Sequence, residues 1–289
     1  MIDPEKVKSV RIAACDLNGQ MRGKRLPGFE NKKFKDGSIR MPLSALNVDI
    51  FGADIEDSPL VFETGDQDGL LKITSRGVLP IPWLKTPTAL APLSMFTEYE
   101  EPFEGDPRYA LERIIESYAS KGLKAIAATE MEFYLIDERK TSLLPPLNPI
   151  SGQRLSTANV LGISELDCFD DFFSDLQNGC EQIGINVQSI TSESGCGQFE
   201  VTLKHCDALT ASDDAWLFKL LTKGLARKHG IAATFMAKPY LQDAGNGMHI
   251  HFSIIDRNGN NIFNNNRIEG SKLLKSAVAG CLRCLRGST

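Results

Sequence analysis

Three short stretches of this sequence hold acids and imidazoles at spacings that could do chemistry. In Ala127-Ala128-Thr129-Glu130-Met131-Glu132-Phe133-Tyr134, two glutamates stand two residues apart. On a strand that spacing puts both carboxylates on one face beside Ala128 and Tyr134, with Met131 and Phe133 on the other. Adjacent like charges repel, and a cation between them removes the penalty; a solvent-facing pair on an edge strand is the plainer reading. In Ser192-Glu193-Ser194-Gly195-Cys196-Gly197-Gln198-Phe199-Glu200, two more glutamates flank a Gly-x-Gly turn. Its glycines permit sharp geometry and close approach of a ligand, although a hairpin with charged ends explains it as well. In Asn246-Gly247-Met248-His249-Ile250-His251-Phe252-Ser253, the residues His249, His251 and Ser253 share one face of a strand leaving a glycine-bearing loop. Imidazoles so placed can meet a metal or a phosphate; two histidines on a polar sheet face need do neither.

Together the three stretches say more. Four carboxylates and a histidine suit a hard divalent cation, Mg²⁺ or Mn²⁺, better than zinc, which favours sulfur and imidazole. With no thiol or serine nucleophile among them, they point to metal-assisted handling of phosphate. Lys238 and Pro239, just ahead of the glycine loop, add a cation and a rigid lead-in.

The elements that must position these residues can be read from pattern. VRIAACDLNGQMRGKRLP alternates apolar and polar residues around Asn18-Gly19, which predicts a hairpin. DGSIRMPLSALNVDIFG and GLLKITSRGVLPIPWLKTPTALAPL supply further short strands punctuated by prolines. The acidic stretch 98–107, with two prolines, reads as a connection, so residues 1–97 and 98–289 are expected to form two domains. DPRYALERIIESYASKGL then predicts a helix capped by Asp106 with Pro107 in its first turn. KAIAATEMEFYLID is a strand, DCFDDFFSDLQNGCEQIG a helix, and INVQSITSESGCGQFEVTLK two strands around the glycine turn. DDAWLFKLLTKGLARKHG is a third helix, with basic residues and Gly230 at its end. IAATFMAKPY and GMHIHFSIID are two more strands, and GSKLLKSAVAGCLRCLRG a last helix.

Composition bounds the answer. A chain of 289 residues with 42% hydrophobic and 24% charged residues folds around a core rather than staying disordered. A net charge of −5 argues against nucleic acid as a partner. No apolar run approaches the roughly 18 residues needed to span a bilayer, and the N-terminus has no apolar signal core, so a cytoplasmic protein is expected. Seven irregularly spaced cysteines fit reduced thiols better than a disulfide framework. Cys281 and Cys284 form a lone CxxC with no second pair to complete a zinc site, and are expected to be ordinary helical residues.

At this point a family resemblance is plain. DPRYALERI, ATEMEFYLID, ESGCGQFEVTL, GIAATFMAKP and GNGMHIHFSIID fall in the order and spacing of the glutamine synthetase family. The resemblance implies an α+β fold: a small N-terminal β-grasp-like domain, then a glutamine-synthetase-type catalytic domain with an antiparallel sheet and packed helices. It implies a homo-oligomeric ring whose active sites are shared between neighbouring subunits. The implied activity is a carbon–nitrogen ligase that joins the γ-carboxylate of glutamate to ammonia or an amine through γ-glutamyl phosphate. ATP is the co-substrate, with two or three divalent ions, Mg²⁺ or Mn²⁺. By the same resemblance Glu130 and His249 are ligands of the metal that grips the ATP phosphates, and Glu132, Glu193 and Glu200 surround the metal on the glutamate side. His251 and Ser253 match positions that line the nucleotide, and Gly245 the glycine of the loop that contacts glutamate. No residue is assigned as the catalytic base.

Three departures qualify these expectations. The loop reads Ala244-Gly245-Asn246-Gly247, where the family usually has Asn-Gly before Ser-Gly-Met-His. The family's ammonium-binding aspartate, in a Phe-Asp-Gly-Ser-Ser-like stretch, has no trusted equivalent, since Asp36-Gly37-Ser38 lies too early. The first departure weakens the case for ordinary glutamate recognition, and the second favours a γ-glutamyl-amine ligase of the polyamine-using kind over glutamine synthetase itself. The family also continues past the last helix with arginines and a further metal-ligating glutamate that this sequence lacks. The catalytic domain is therefore expected to be incomplete, with an open sheet edge and little or no turnover. A non-catalytic homologue that binds metal or nucleotide is the alternative.

Overall fold

The computed structural model describes residue 3 and residues 5–139 and 142–287. It begins with the expected hairpin: β1 (Ser9–Cys15) and β2 (Met21–Leu26) pair antiparallel. The turn is built by Asp16, whose Oδ1 accepts from the backbone N–H groups of Asn18 and Gln20 at 2.8 Å each, while Gly19 takes φ +69°. The single-turn helix α1 (Lys32–Lys35) follows, then β3 (Arg40–Pro42), the single-turn helix α2 (Pro59–Phe62), β4 (Asp68–Ile73), β5 (Leu79–Pro80) and β6 (Thr88–Phe96). The sheet order is β2-β1-β6-β4-β3, with β5 also on β6, and β1 runs parallel to β6. Asp36-Gly37-Ser38 is the turn that ends α1, with Gly37 at φ +63°. The acidic stretch after β6 folds back on it: Phe103 N–H donates to the Met95 carbonyl at 3.0 Å, and the Phe103 ring is buried with the first sheet's core.

Asp106 then does two jobs. One carboxylate oxygen caps α3 (Pro107–Ala119) by accepting from Arg108 N–H at 2.9 Å, and the other accepts from Met95 N–H at 2.8 Å. The second sheet is wholly antiparallel and hangs on one strand, β7 (Lys124–Ile136). The remaining elements are α4 (Ile163–Cys168), α5 (Asp170–Gln182), β8 (Val187–Ser192), β9 (Gln198–Leu203), β10 (Cys206–Asp207), α6 (Ala208–Lys228), β11 (Ala232–Thr234), β12 (Met248–Ile255) and α7 (Lys272–Cys284). The order is β10-β7-β9-β8, and β11 and β12 also pair with β7. Residues 126 and 127 pair with both β10 and β12, and Tyr134 with both β9 and β11, so β7 is an interior strand. The edge-strand reading of Glu130 and Glu132 fails for that reason.

The expected run 231–240 shortens to β11. Phe235 turns in to stack on Phe133 at 5.4 Å between centroids, Pro239 has no N–H to offer a ladder, and the Asn246 side chain takes up the Met236 carbonyl. One face of β7 sends Met131, Phe133 and Leu135 into a core shared with Phe172, Phe173 and Leu176 of α5 and Leu217, Phe218 and Leu221 of α6. Ala13, Leu79, Ile81 and Leu90 of the first sheet join this core. Trp83 packs its indole on Gly224 of α6, where an added Cβ would sit 2.5 Å from the ring. No residue of α7 is buried, and Cys281 and Cys284 lie exposed on it.

Phe133 is fully buried and its ring meets Phe199, Phe218 and Phe235. Phe133→Ala is expected to cost about 3–5 kcal/mol in urea unfolding. Ile268→Ala, at a fully exposed side chain, should change stability by less than about 0.5 kcal/mol.

Candidate active site

The face of the sheet opposite the aromatic core gathers the acids and imidazoles. Three neighbouring strands supply them: Glu200 from β9, Glu130 and Glu132 from β7, and His249, His251 and Ser253 from β12. Register does the placing. Glu132 is the direct cross-strand partner of Glu200, and Glu130 of His249. Directly opposed side chains on antiparallel strands stand about 4.5–5.5 Å apart at Cβ, so the register sets two acidic residues side by side.

Both oxygens of Glu130 are engaged. His249 Nδ1 lies 2.8 Å from Oε2 and His251 Nε2 2.9 Å from Oε1. Glu130, Glu200 and His249 each bring one ligand atom within 4.8 Å of the others, the spacing of a metal's coordination shell. Glu193 stands at the end of β8, and its backbone N–H closes the glycine turn on the Gln198 carbonyl at 2.9 Å. Its carboxylate is outside that three-residue group, as is that of Glu132, but both act on Glu200. Burial first, then the charges of Glu130, Glu193 and Glu132, push the Glu200 carboxyl above its ordinary range, and His249 opposes them. The other four residues expected around the metals thus all act on Glu200.

Oxygen-rich donors with a single imidazole fit a hard divalent cation, and the like charge that Glu130, Glu193 and Glu132 bring to bear on Glu200 is the kind of repulsion that such an ion relieves. The donor set therefore fits Mg²⁺ or Mn²⁺ at this face, with Glu130, Glu200 and His249 the residues that can share one ion. His251 and Ser253 line an adjoining hollow of about 310 Å³ together with Ile126, Ala127, Ala128, Phe252 and His205. His205 was not singled out from the sequence. Its signal was its place just past the strand that carries Glu200, where a polar ring has no helix or strand role to explain it.

Gly245 sits on a loop that Gln198, Tyr134 and Asp243 tie to the glycine turn. Gln198, 1% exposed, donates from Nε2 to the Gly245 carbonyl at 2.9 Å. The Tyr134 hydroxyl donates to the Ala244 carbonyl at 2.7 Å, and Asp243 Oδ2 accepts from Cys196 N–H at 2.9 Å. Lys238 Nζ donates to the Asp243 carbonyl, so this cation braces the loop. Gly247 N–H donates to Glu132 Oε2 at 2.9 Å, which links the loop directly to the acid floor. Gly195 faces the Tyr134 ring so closely that an added Cβ would lie 1.8 Å from the hydroxyl. Gly195→Ala is expected to push Tyr134 off Ala244 and to lower stability by about 1–3 kcal/mol in chemical denaturation.

Comparison with known proteins agrees with this geometry. A family model described as "Glutamine synthetase, catalytic domain" matches residues 104–289. Gamma-glutamylputrescine synthetase PuuA of Escherichia coli strain K12 is 35% identical over 290 residues, covering 96% of this chain and 60% of that protein. Glutamate–isopropylamine ligase of a Pseudomonas species is 31% identical over 277 residues, covering 91% of this chain and 58% of that protein. A solved structure described as a novel glutamine synthase homolog superposes with a TM-score of 0.83 at 23% identity, covering 98% of this chain and 64% of the other. The chain thus spans about 60% of the length of the curated relatives it matches. A match over residues 104–289 takes in every acid and imidazole of the acid floor, and it makes this chain a member of the glutamine synthetase catalytic-domain family.

Proposed function

We propose that this chain carries the metal and nucleotide face of an ATP-dependent ligase that joins the γ-carboxylate of glutamate to an amine through γ-glutamyl phosphate. The observation that carries the reading is that Glu130, Glu200 and His249 each bring a ligand atom within 4.8 Å of the others, with Glu132 and Glu193 adding their charge at Glu200. A divalent ion held there would neutralise charge that builds between the ATP γ-phosphate and the glutamate carboxylate. Glu130 and His249 would hold the ion on the nucleotide side, with Glu132, Glu193 and Glu200 on the glutamate side. His251 and Ser253 would line the nucleotide. Gly245, tied down through Gln198, would present the loop to glutamate.

In the reaction a γ-carboxylate oxygen attacks the terminal phosphorus and ADP leaves. The amine nitrogen then attacks the acyl carbon, phosphate departs and the amine gives up a proton. An amine rather than ammonia is favoured because the family's ammonium-binding aspartate has no trusted equivalent here, Asp36-Gly37-Ser38 being the turn that ends α1. Two of the relatives above are named as ligases of putrescine and isopropylamine. Glutamine synthesis from ammonia is the second reading. We place residues 1–97 as a β-grasp-like unit, residues 98–289 in the catalytic unit, and the assembly in a cytoplasmic homo-oligomeric ring with shared sites.

Two measurements test this. Mn²⁺ titration of the folded chain should show tight binding that Glu132→Gln and Glu200→Gln each weaken at least tenfold; unchanged binding would sink the ligand assignment. With Mg²⁺, ATP and glutamate, whatever ADP release the chain supports, expected to be small, should rise on adding putrescine, spermidine or a simple monoamine and exceed the rate with ammonia. A rate highest with ammonia would favour glutamine synthesis, and amine-independent release would reject ligation.

A further inference from the structure

The hydrogen-bond arithmetic at Gln198 does not balance, and the imbalance has a direction. Gly195 N–H donates to Gln198 Oε1 at 2.9 Å, and because a backbone N–H can only donate, the carbonyl end of the side chain is fixed there. The amide nitrogen therefore faces the other way. It lies 3.0 Å from Glu132 Oε2, 2.9 Å from the Gly245 carbonyl and 3.0 Å from Asn246 Oδ1. Asn246 cannot turn to relieve this, since its own amide nitrogen donates to the Met236 carbonyl at 2.8 Å. A primary amide carries two hydrogens. Three acceptors compete for these two hydrogens, on a side chain that is itself 1% exposed.

We propose that Gln198 is a positioning residue that couples cation binding at Glu132 to the order of the 243–247 loop. The coupling rests on the reading of Glu132 as a metal ligand. Without a cation, the Glu132 carboxylate is the strongest of the three acceptors, because it is the charged one. It holds one amide hydrogen and leaves Gly245 and Asn246 to share the other. A cation at Glu132 draws electron density from the carboxylate and weakens it as an acceptor. Both hydrogens then serve Gly245 and Asn246, and the loop tightens at these two residues by more than it loses at Gly247, whose N–H donates to the same Glu132 oxygen at 2.9 Å. Linkage makes the effect reciprocal: whatever orders the loop also favours the cation. Gln198 thereby lets the two sides of the site sense each other without touching substrate itself.

The test reads the loop and the metal separately from any turnover. In the metal-free chain, backbone hydrogen exchange across 243–247 should be at least tenfold faster in Gln198→Met than in wild type, with Gln182→Met, on the exposed side of α5, as an unchanged control. Equal exchange in Gln198→Met and wild type overturns the latch. Saturating Mn²⁺ should slow exchange of this loop at least threefold in wild type and leave it unchanged in Gln198→Met. Equal slowing in both overturns the coupling. Should Gln198→Met not fold by circular dichroism, Asn246→Ala carries the test. It removes the acceptor that would take the released hydrogen, so Mn²⁺ affinity should fall at least threefold, and unchanged affinity overturns the proposal. Failure of wild type to bind Mn²⁺ overturns the coupling along with the ligand assignment, while the metal-free exchange still decides the latch.

Discussion

The second half of the molecule depends on β7 being paired along both edges. A strand bonded on one side only could slide or fray, and a slip of one residue would turn every side chain to the other face. Held by β9 and β10 on one side and by β11 and β12 on the other, its 13 residues keep a fixed alternation. Met131, Phe133 and Leu135 enter the aromatic core while Glu130 and Glu132 stand on the opposite face. Burying the first set thus fixes the position of the second. The apolar packing supplies the stability that lets two acidic strands lie side by side, an arrangement that like-charge repulsion alone would disfavour.

Much of this could be read from local signals. Asp106 and Pro107 mark the start of α3, Asn18-Gly19 the first hairpin, and Arg227 and Lys228 the end of α6, because caps and turns are set by residues close in sequence. Glu130 with Glu132, and His249 with His251 and Ser253, stood out because they sit two apart on strands, while Glu193 and Glu200 stood out by flanking a glycine turn. What could not be read is what depends on distant partners. Nothing within AATEMEFYLI says that the strand is interior, and IAATFMAKPY looks like a strand throughout until Phe235 is drawn into the core. Gln198 is the sharpest case. In the sequence it is one polar residue after a glycine, and its three acceptors belong to residues 47 to 66 positions away. His205 escaped for a similar reason, since only the fold of β10 beside β7 brings it near His251 and Ser253.

The site has two mechanically different layers. The carboxylates and imidazoles stand on strands locked by the core beneath them. The 238–247 loop is held from above by a few polar ties, at Tyr134, Asp243, Gln198 and Asn246. The two layers are not independent, because Gly247 N–H and the Gln198 amide both bond the Glu132 carboxylate and so join the loop to the strands beneath it.

The seating of Trp83 on Gly224 has a practical corollary for spectroscopy. The chain has two tryptophans, Trp83 and Trp216. One presses on α6 from the first sheet and the other belongs to α6 itself. Indole emission therefore reports the seam where the two sheets meet, and through Trp216, which shares a hollow with Thr129, Met131, Met248 and Ile250, the side of β7 and β12 turned away from the acids. A fluorescence-detected melt would follow the parting of the sheets, and a second optical signal, such as a tyrosine or a bound lanthanide, would be needed to see the ligand face.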